Sequence, residues 1–229
     1  SWVVDASSAS KTIEGVTVDL STDDNFKIKN NWYRNLWNGT SDLPQNKLIS
    51  DGIIVKTSDG SNPSTAVSLY VKLKGLKAGN HTLLAYMNNL DGDTNSKYPN
   101  IKVSVDNEFV EEVVQTVKKE KTIEAACVYI PIISSGESDE IKLTFTSLVE
   151  NGITYKHTGF YINAIEIDRA HPKYYATEKS PSTTDYHAER YDNGDVPFTW
   201  TSAEGATKHI VYFGTDEESV ENGTCEVIK

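Results

Sequence analysis

Alternation of apolar and polar residues at a period of two runs through the first 168 positions of the chain. In Val67-Ser68-Leu69-Tyr70-Val71-Lys72-Leu73 the odd positions are apolar and the even ones mostly polar, as in a strand with one face against a core. Ile101-Lys102-Val103-Ser104-Val105 and Ile141-Lys142-Leu143-Thr144-Phe145 repeat the pattern. Further strands are expected at Val16 to Leu20, Ile53 to Thr57, His81 to Met87, Glu108 to Val117, Ala126 to Ile132 and Gly159 to Asp168. Turn-forming residues separate them: Gly75, Ala78-Gly79-Asn80, Asp106-Asn107 and Ser134-Ser135-Gly136-Glu137. Glu111 to Ala126 competes as a helix, but it lacks an apolar stripe and is rich in β-branched residues, so it reads as a strand entering a polar loop. Short strands at near-regular spacing without intervening helices predict an all-β chain whose first domain, residues 1–168, is an antiparallel jelly-roll sandwich.

Beyond Asp168 the pattern changes. Residues 169–195 hold Pro172, Pro181 and the charged stretch Asp185 to Asp195, which describes a linker with room for one edge strand. Residues 196–229 begin with Val196 to Ala206, a strand around Trp200, followed by the alternating stretch Lys208 to Asp216. This resembles the opening of a fibronectin type III domain, with Trp200 as its core Trp. Such a sandwich needs about 100 residues, so the expectation is an incomplete domain, ordered only when further strands complete it, in a piece of a longer protein.

Composition narrows the function classes. Of 229 residues, 38% are hydrophobic and 10% aromatic, enough to build a core and to exclude disorder. A formal charge of −11 leaves no basic footprint, which excludes nucleic acid as the partner and electrostatic capture by anionic lipid. No apolar run approaches the roughly 20 residues that span a bilayer, so membrane insertion is not expected. The one Met, Met87, suggests a start after a processed leader or at an engineered boundary. Cys127 and Cys225 fall in different predicted domains and in no metal-ligand spacing, so neither a disulfide between them nor a zinc site is expected.

Residues 45–168 carry a resemblance. Asp51 to Val55, Leu69 to Leu73, the stretch Gly75-Leu76-Lys77-Ala78-Gly79 leading into His81 to Tyr86, and the closing Gly159-Phe160-Tyr161-Ile162-Asn163-Ala164-Ile165-Glu166-Ile167 look like the malectin-like and galactose-binding-like jelly rolls appended to bacterial polysaccharide-degrading enzymes. A jelly roll followed by a fibronectin type III domain resembles the front end of multimodular pectate or rhamnogalacturonan lyases. The resemblance implies a non-catalytic carbohydrate-binding region of a secreted, cell-surface or periplasmic bacterial enzyme. Its partners would be a plant cell-wall polysaccharide and a downstream catalytic domain. The alternatives are a structural spacer or interaction module that binds no glycan, and a fragment belonging to the lyase itself.

Antiparallel strands place successive loops at alternate ends, so the loops 88–99, 118–125 and 146–158 are expected to share one rim. That rim carries Asn88, Asn89 and Tyr98 from the first loop and Tyr155, Lys156 and His157 from the third. Aromatic faces for sugar C–H surfaces, beside amides and the carboxylates of Asp91 and Asp93 for hydroxyls, suit a glycan. The same residue types also build ordinary turns. Trp32, Tyr33 and Trp37 form a second aromatic group, counted to the opposite end, which would either touch ligand or cap the core. A structural calcium is the cofactor the resemblance implies, through Glu14, Asp19, Glu166 and Asp168. Asp91-Gly92-Asp93-Thr94-Asn95 starts like an EF-hand loop but lacks its later glycine and acid. G-x-S-x-G and H-E-x-x-H are both absent and the five His are scattered, so the segment is not expected to be catalytic; Tyr155-Lys156-His157 is the one set that would suit β-elimination.

Overall fold

The computed structural model describes residues 5–31, 49, 51–89, 92, 94–117, 126–169, 177–181, 194, 196–203, 206–221 and 224–228. The chain divides into two compact units, Ser1–Arg169 and Ala170–Lys229. No described helix is long and apolar enough to cross a membrane.

The first unit is an antiparallel β-sandwich. Its back sheet has six strands: β2 (Ser8–Ile13), β3 (Val16–Thr22), β6 (Ser68–Lys74), β11 (Ile141–Ser147), β8 (Ile101–Val105) and β9 (Glu108–Val113), in that spatial order. The front layer has two parts. β1 (Asp5–Ala6), β4 (Phe26–Asn31), β5 (Gly52–Thr57) and β12 (Tyr161–Ile162) form one, and β10 (Ala126–Ser134), β7 (Gly79–Met87) and β13 (Ala164–Ile167) form the other. Non-sequential neighbours in every sheet, such as β6 beside both β3 and β11, are the crossovers expected of a jelly roll.

The alternating stretches become the strands with one buried face. Leu69, Val71 and Leu73 of β6 and Leu143 and Phe145 of β11 are fully buried, with the residues between them outward. They meet Leu83, Ala85 and Met87 of β7 and Val128, Ile130 and Ile132 of β10 across the layer. On the outer face of β7 a second small cluster joins Leu84 and Tyr86 to Ile49, with half-buried Cys127 and Tyr129 beside them. β1, β2 and β4 were not expected from the pattern. β2 reads Ser-Ala-Ser-Lys-Thr-Ile and is almost wholly exposed: it is held by the backbone ladder to β3 and by side-chain hydrogen bonds of Ser10 and Thr12 across it, with Ala9 alone packing on the core, which leaves no apolar period. β4 buries Ile28 between Lys27 and Lys29, too short an alternation to stand out.

The front layer parts at one residue. Tyr161 and Ile162 pair with Ile54 and Ile53 of β5, whereas Ala164 to Ile167 pair with Tyr86 to Leu83 of β7. Asn163 lies between the two registers, and its side chain fastens the parting. Its Nδ2 faces the carbonyl oxygens of Asp51 at 2.9 Å and of Ile49 and Asn88 at 3.2 Å, and its Oδ1 accepts from the Asn88 backbone N–H at 2.6 Å.

In the second unit β14 (Thr177–Ser180) pairs with β15 (Thr199–Thr201), and β16 (Val211–Phe213) with β17 (Glu226–Ile228), with a short helix α1 (Glu217–Glu221) between the latter two. The stretch expected to be a linker therefore supplies an edge strand. Trp200 corrects the sequence reading: it is 38% exposed and not a core residue. Its ring stands edge to face with that of His209, with centroids 5.7 Å apart. Among the described residues these strands pair two by two, so no second layer closes over the indole. No disulfide joins Cys127 and Cys225, which lie in different units.

Candidate functional site

The ladder registers decide which loops share an end. Met87 lies opposite Ala126, Ser147 opposite Ile101, and Ile101 opposite Val113. The connections after β7, after β9 and after β11 therefore leave the sandwich at the same end. Residues 118–125 lie outside the described residues, but the first and third loops are brought into direct contact. The Lys156 N–H donates to the Lys97 carbonyl at 3.0 Å and the Leu148 N–H to that of Asn100 at 2.8 Å. Tyr98 and His157, 59 positions apart in the chain, stand edge to face with ring centroids 5.1 Å apart, and the His157 ring also lies edge to face with Tyr161 at 6.3 Å.

Six of the eight buried polar side chains among the described residues sit at this end: Asn88, Asn89, Gln115, Ser147, His157 and Thr158. Most hold loops to strands. Ser147 accepts from the Val67 N–H at 2.9 Å, and Gln115 donates to the Pro99 carbonyl at 3.3 Å while accepting from the Tyr161 N–H at 3.2 Å. This dense internal bonding fixes the loop bases and so pre-orders whatever the rim presents.

The six rim residues therefore part into two groups. Asn88, expected as a ligand contact, is fully buried, and its amide is spent on the Ile49 carbonyl and on Thr116, so it belongs to the scaffold. Asn89 is equally buried, which removes it from the surface as well; its amide oxygen and nitrogen have no hydrogen-bond partner among the described residues. His157 is 7% exposed and makes ring contacts with Tyr98 and Tyr161, so it supports Tyr98 and is poorly presented as a base for β-elimination. Tyr98 and Tyr155 are half-buried and Lys156 is exposed, as is Lys97, which sequence reasoning missed because nothing local marks its pairing with residue 156. Trp32, Tyr33 and Trp37 lie outside the described residues. Ile49, further along that segment, packs on the outer face of β7.

The four acids expected to hold calcium are not assembled. Asp19 receives the Ser10 hydroxyl, Glu166 receives the Tyr86 hydroxyl at 2.7 Å, and Asp168 binds the His81 ring, while Glu14 occupies the β2–β3 turn in a left-handed conformation. Among the described residues no three His, Cys, Asp or Glu side chains are grouped as metal ligands.

At the opposite end His81 closes the sandwich. Its Nδ1 lies 3.0 Å from both Asp168 oxygens and its Nε2 2.9 Å from the Lys77 carbonyl. Both partners are acceptors, so only the imidazolium, with two N–H donors, satisfies both. The Lys77 carbonyl first and the Asp168 carboxylate second accordingly raise the His81 pKa above its ordinary 6.5. A raised folded-state value stabilises the fold fully below the unfolded-state pKa, and that contribution is lost as pH rises through the folded value. Thermal unfolding midpoints should fall as pH rises from about 6 through the raised pKa, relative to a His81→Gln variant that shows no such step.

No family model matches the chain, and no curated protein does. Similar solved structures include a native family 35 carbohydrate-binding module from Clostridium thermocellum, at 12% identity over 72% of this chain and 100% of that one, with a TM-score of 0.35. TmCBM61, solved in complex with β-1,4-galactotriose, matches at 12% identity over 67% and 88% of the two chains, with a TM-score of 0.32. A GH31 α-xylosidase from Xanthomonas citri matches over 64% of this chain and 18% of its own length, at 11% identity and a TM-score of 0.26.

Proposed function

We propose that the first unit is a non-catalytic carbohydrate-binding module whose site is the loop rim around Tyr98 and Tyr155. The observation that carries this reading is the joining of two loops by the Lys156–Lys97 backbone bond, which sets two half-buried tyrosines and two exposed lysines side by side on a pre-ordered base. A half-buried aromatic ring is held in orientation while offering an apolar face, and this is what a pyranose C–H surface requires. Lysine ammonium groups donate to hydroxyls and carboxylates.

The ligand we favour is a plant cell-wall polysaccharide of the pectic class, and the parent protein a secreted bacterial pectate or rhamnogalacturonan lyase with its catalytic domain elsewhere in the chain. A net charge of −11 opposes a polyanion at long range. Lys97 and Lys156 supply a local counterweight, and neither is in an ion pair among the described residues. Calcium bridging of uronates to the rim is the competing way to meet the same repulsion.

Affinity electrophoresis in polygalacturonate and in β-1,4-galactan, each with and without EDTA, tests the reading. Retardation in polygalacturonate without unsaturated product is expected. A Lys97→Glu/Lys156→Glu variant should bind about tenfold more weakly, the size of two exposed charge contacts. Retardation abolished by EDTA would transfer the role to calcium. Migration unchanged in both gels would leave a structural spacer.

A further inference from the structure

We infer that Asn151 is a site of spontaneous covalent modification, at which the loop bearing Tyr155 converts its own amide to a carboxylate and so lowers the affinity of the rim for acidic glycans. The loss of affinity rests on the rim being the glycan site proposed above; the chemistry does not.

The loop is held at its ends and left free at its tip. The Leu148 N–H on the Asn100 carbonyl and the Lys156 N–H on the Lys97 carbonyl pin residues 148 and 156. Between these pins the Ile153 N–H reaches the Glu150 carbonyl at 3.4 Å and closes a turn. Asn151 and Gly152 form the tip of that turn, and both are exposed. Among the described residues neither the Asn151 amide nor the Gly152 N–H makes a hydrogen bond. Gly152 has φ +82°, and nothing lies within 4 Å of where a Cβ would stand. Glycine puts no side chain beside its nitrogen and turns freely about it, so the nitrogen is open to the neighbouring amide carbon.

Other Asn side chains show the contrast. Asn100 donates to Glu112 at 2.6 Å and precedes the β-branched Ile101, while Asn163 is spent on three carbonyls and precedes Ala164 of β13. Three further Asn-Gly pairs, at 38–39, 193–194 and 222–223, each include a residue outside the described ones.

Once hydroxide removes its proton, the Gly152 backbone nitrogen attacks Asn151 Cγ. The N–Cγ bond forms, the Cγ–Nδ2 bond breaks, and the leaving nitrogen takes a proton from solvent and departs as ammonia. A five-membered succinimide then joins the two residues. Water reopens it: cleavage of the new N–Cγ bond leaves aspartate, and cleavage of the original peptide bond leaves isoaspartate, with the chain rerouted through Cγ. Water is the co-reactant, ammonia is released, and no electrons change hands. In both products a neutral amide has become a carboxylate, in the same loop as Tyr155 and Lys156, where an acidic glycan meets it as a like charge.

Incubating the intact chain at mildly alkaline pH and digesting it with trypsin tests the inference. The peptide Leu143 to Lys156 holds Asn151 as its single Asn, Tyr98 to Lys102 holds Asn100, and His157 to Arg169 holds Asn163. Mass spectrometry is expected to show OH in place of NH2 accumulating in the first peptide, as separable aspartate and isoaspartate forms, faster at higher pH and ahead of the other two peptides. Asn151→Gln, which cannot close the five-membered ring, should keep its retardation in polygalacturonate through the same incubation, and Asn151→Asp should bind about threefold more weakly than the parent from the start. Conversion at Asn151 no faster than at Asn100, or an Asn151→Asp variant retarded as strongly as the parent, would overturn the inference. A fresh parent that polygalacturonate does not retard would overturn the rim as the site for acidic glycans, and with it the loss of affinity; the mass change alone then decides the chemistry.

Discussion

Replacing Asn163 with Leu is expected to cost the first unit about 3–5 kcal/mol, read as a lower midpoint in urea at unchanged slope. The size follows from what the side chain holds. The Asn88 backbone N–H would lose its 2.6 Å acceptor, and the Ile49 and Asp51 carbonyls would lose their shared donor, all at the junction of the two front sheets. A buried group stripped of its partner costs about 1–3 kcal/mol, and Leu fills the space without satisfying any of them. Asn163→Asp keeps the shape but turns donor into acceptor against those carbonyls, so it should not rescue. If Asn163→Leu unfolds within about 1 kcal/mol of the parent, the junction is held by packing and not by this amide.

Gly75→Ala is the second large effect, expected at about 3 kcal/mol or more. Gly75 has φ +91°, a region that side chains disfavour, and its new methyl would stand 2.2 Å from the Gly15 carbonyl oxygen. Gly15 provides the control: it has φ +87°, nearly the same backbone, yet a Cβ there meets nothing within 4 Å. Gly15→Ala should therefore report the conformational cost alone, about 1 kcal/mol, and the difference between the two variants isolates the close approach. Equal losses in chemical denaturation would show that the two turns separate freely.

These effects also mark how far the sequence carries. The back sheet was legible because one buried face imposes period two, as at Leu69, Val71 and Leu73. β2 escaped because an exposed edge strand has no apolar face to announce it. Counting antiparallel strands put residues 88–99 and 146–158 at one end, since loop placement depends only on direction. The roles within that end were not legible. Asn88 and Tyr98 are both polar-loop residues in sequence, but one is buried on its own backbone network and the other presents a ring. Asn163 does carry a sequence signal: a polar amide at the centre of Phe160 to Ile167 needs a partner, and here it has several. The acids at 14, 19, 166 and 168 failed as a cluster because each finds a local partner or a separate strand end, which spacing cannot show.

The central claim is that the rim around Tyr98 and Tyr155 binds glycan, and a plant cell-wall oligosaccharide array compared between the intact chain and a Tyr98→Ala/Tyr155→Ala variant tests it most directly. The account predicts binding by the intact chain, strongest on acidic pectic oligosaccharides, that falls about tenfold or more in the folded variant. Binding of no glycan by the intact chain, or an unchanged profile in the variant, would contradict it.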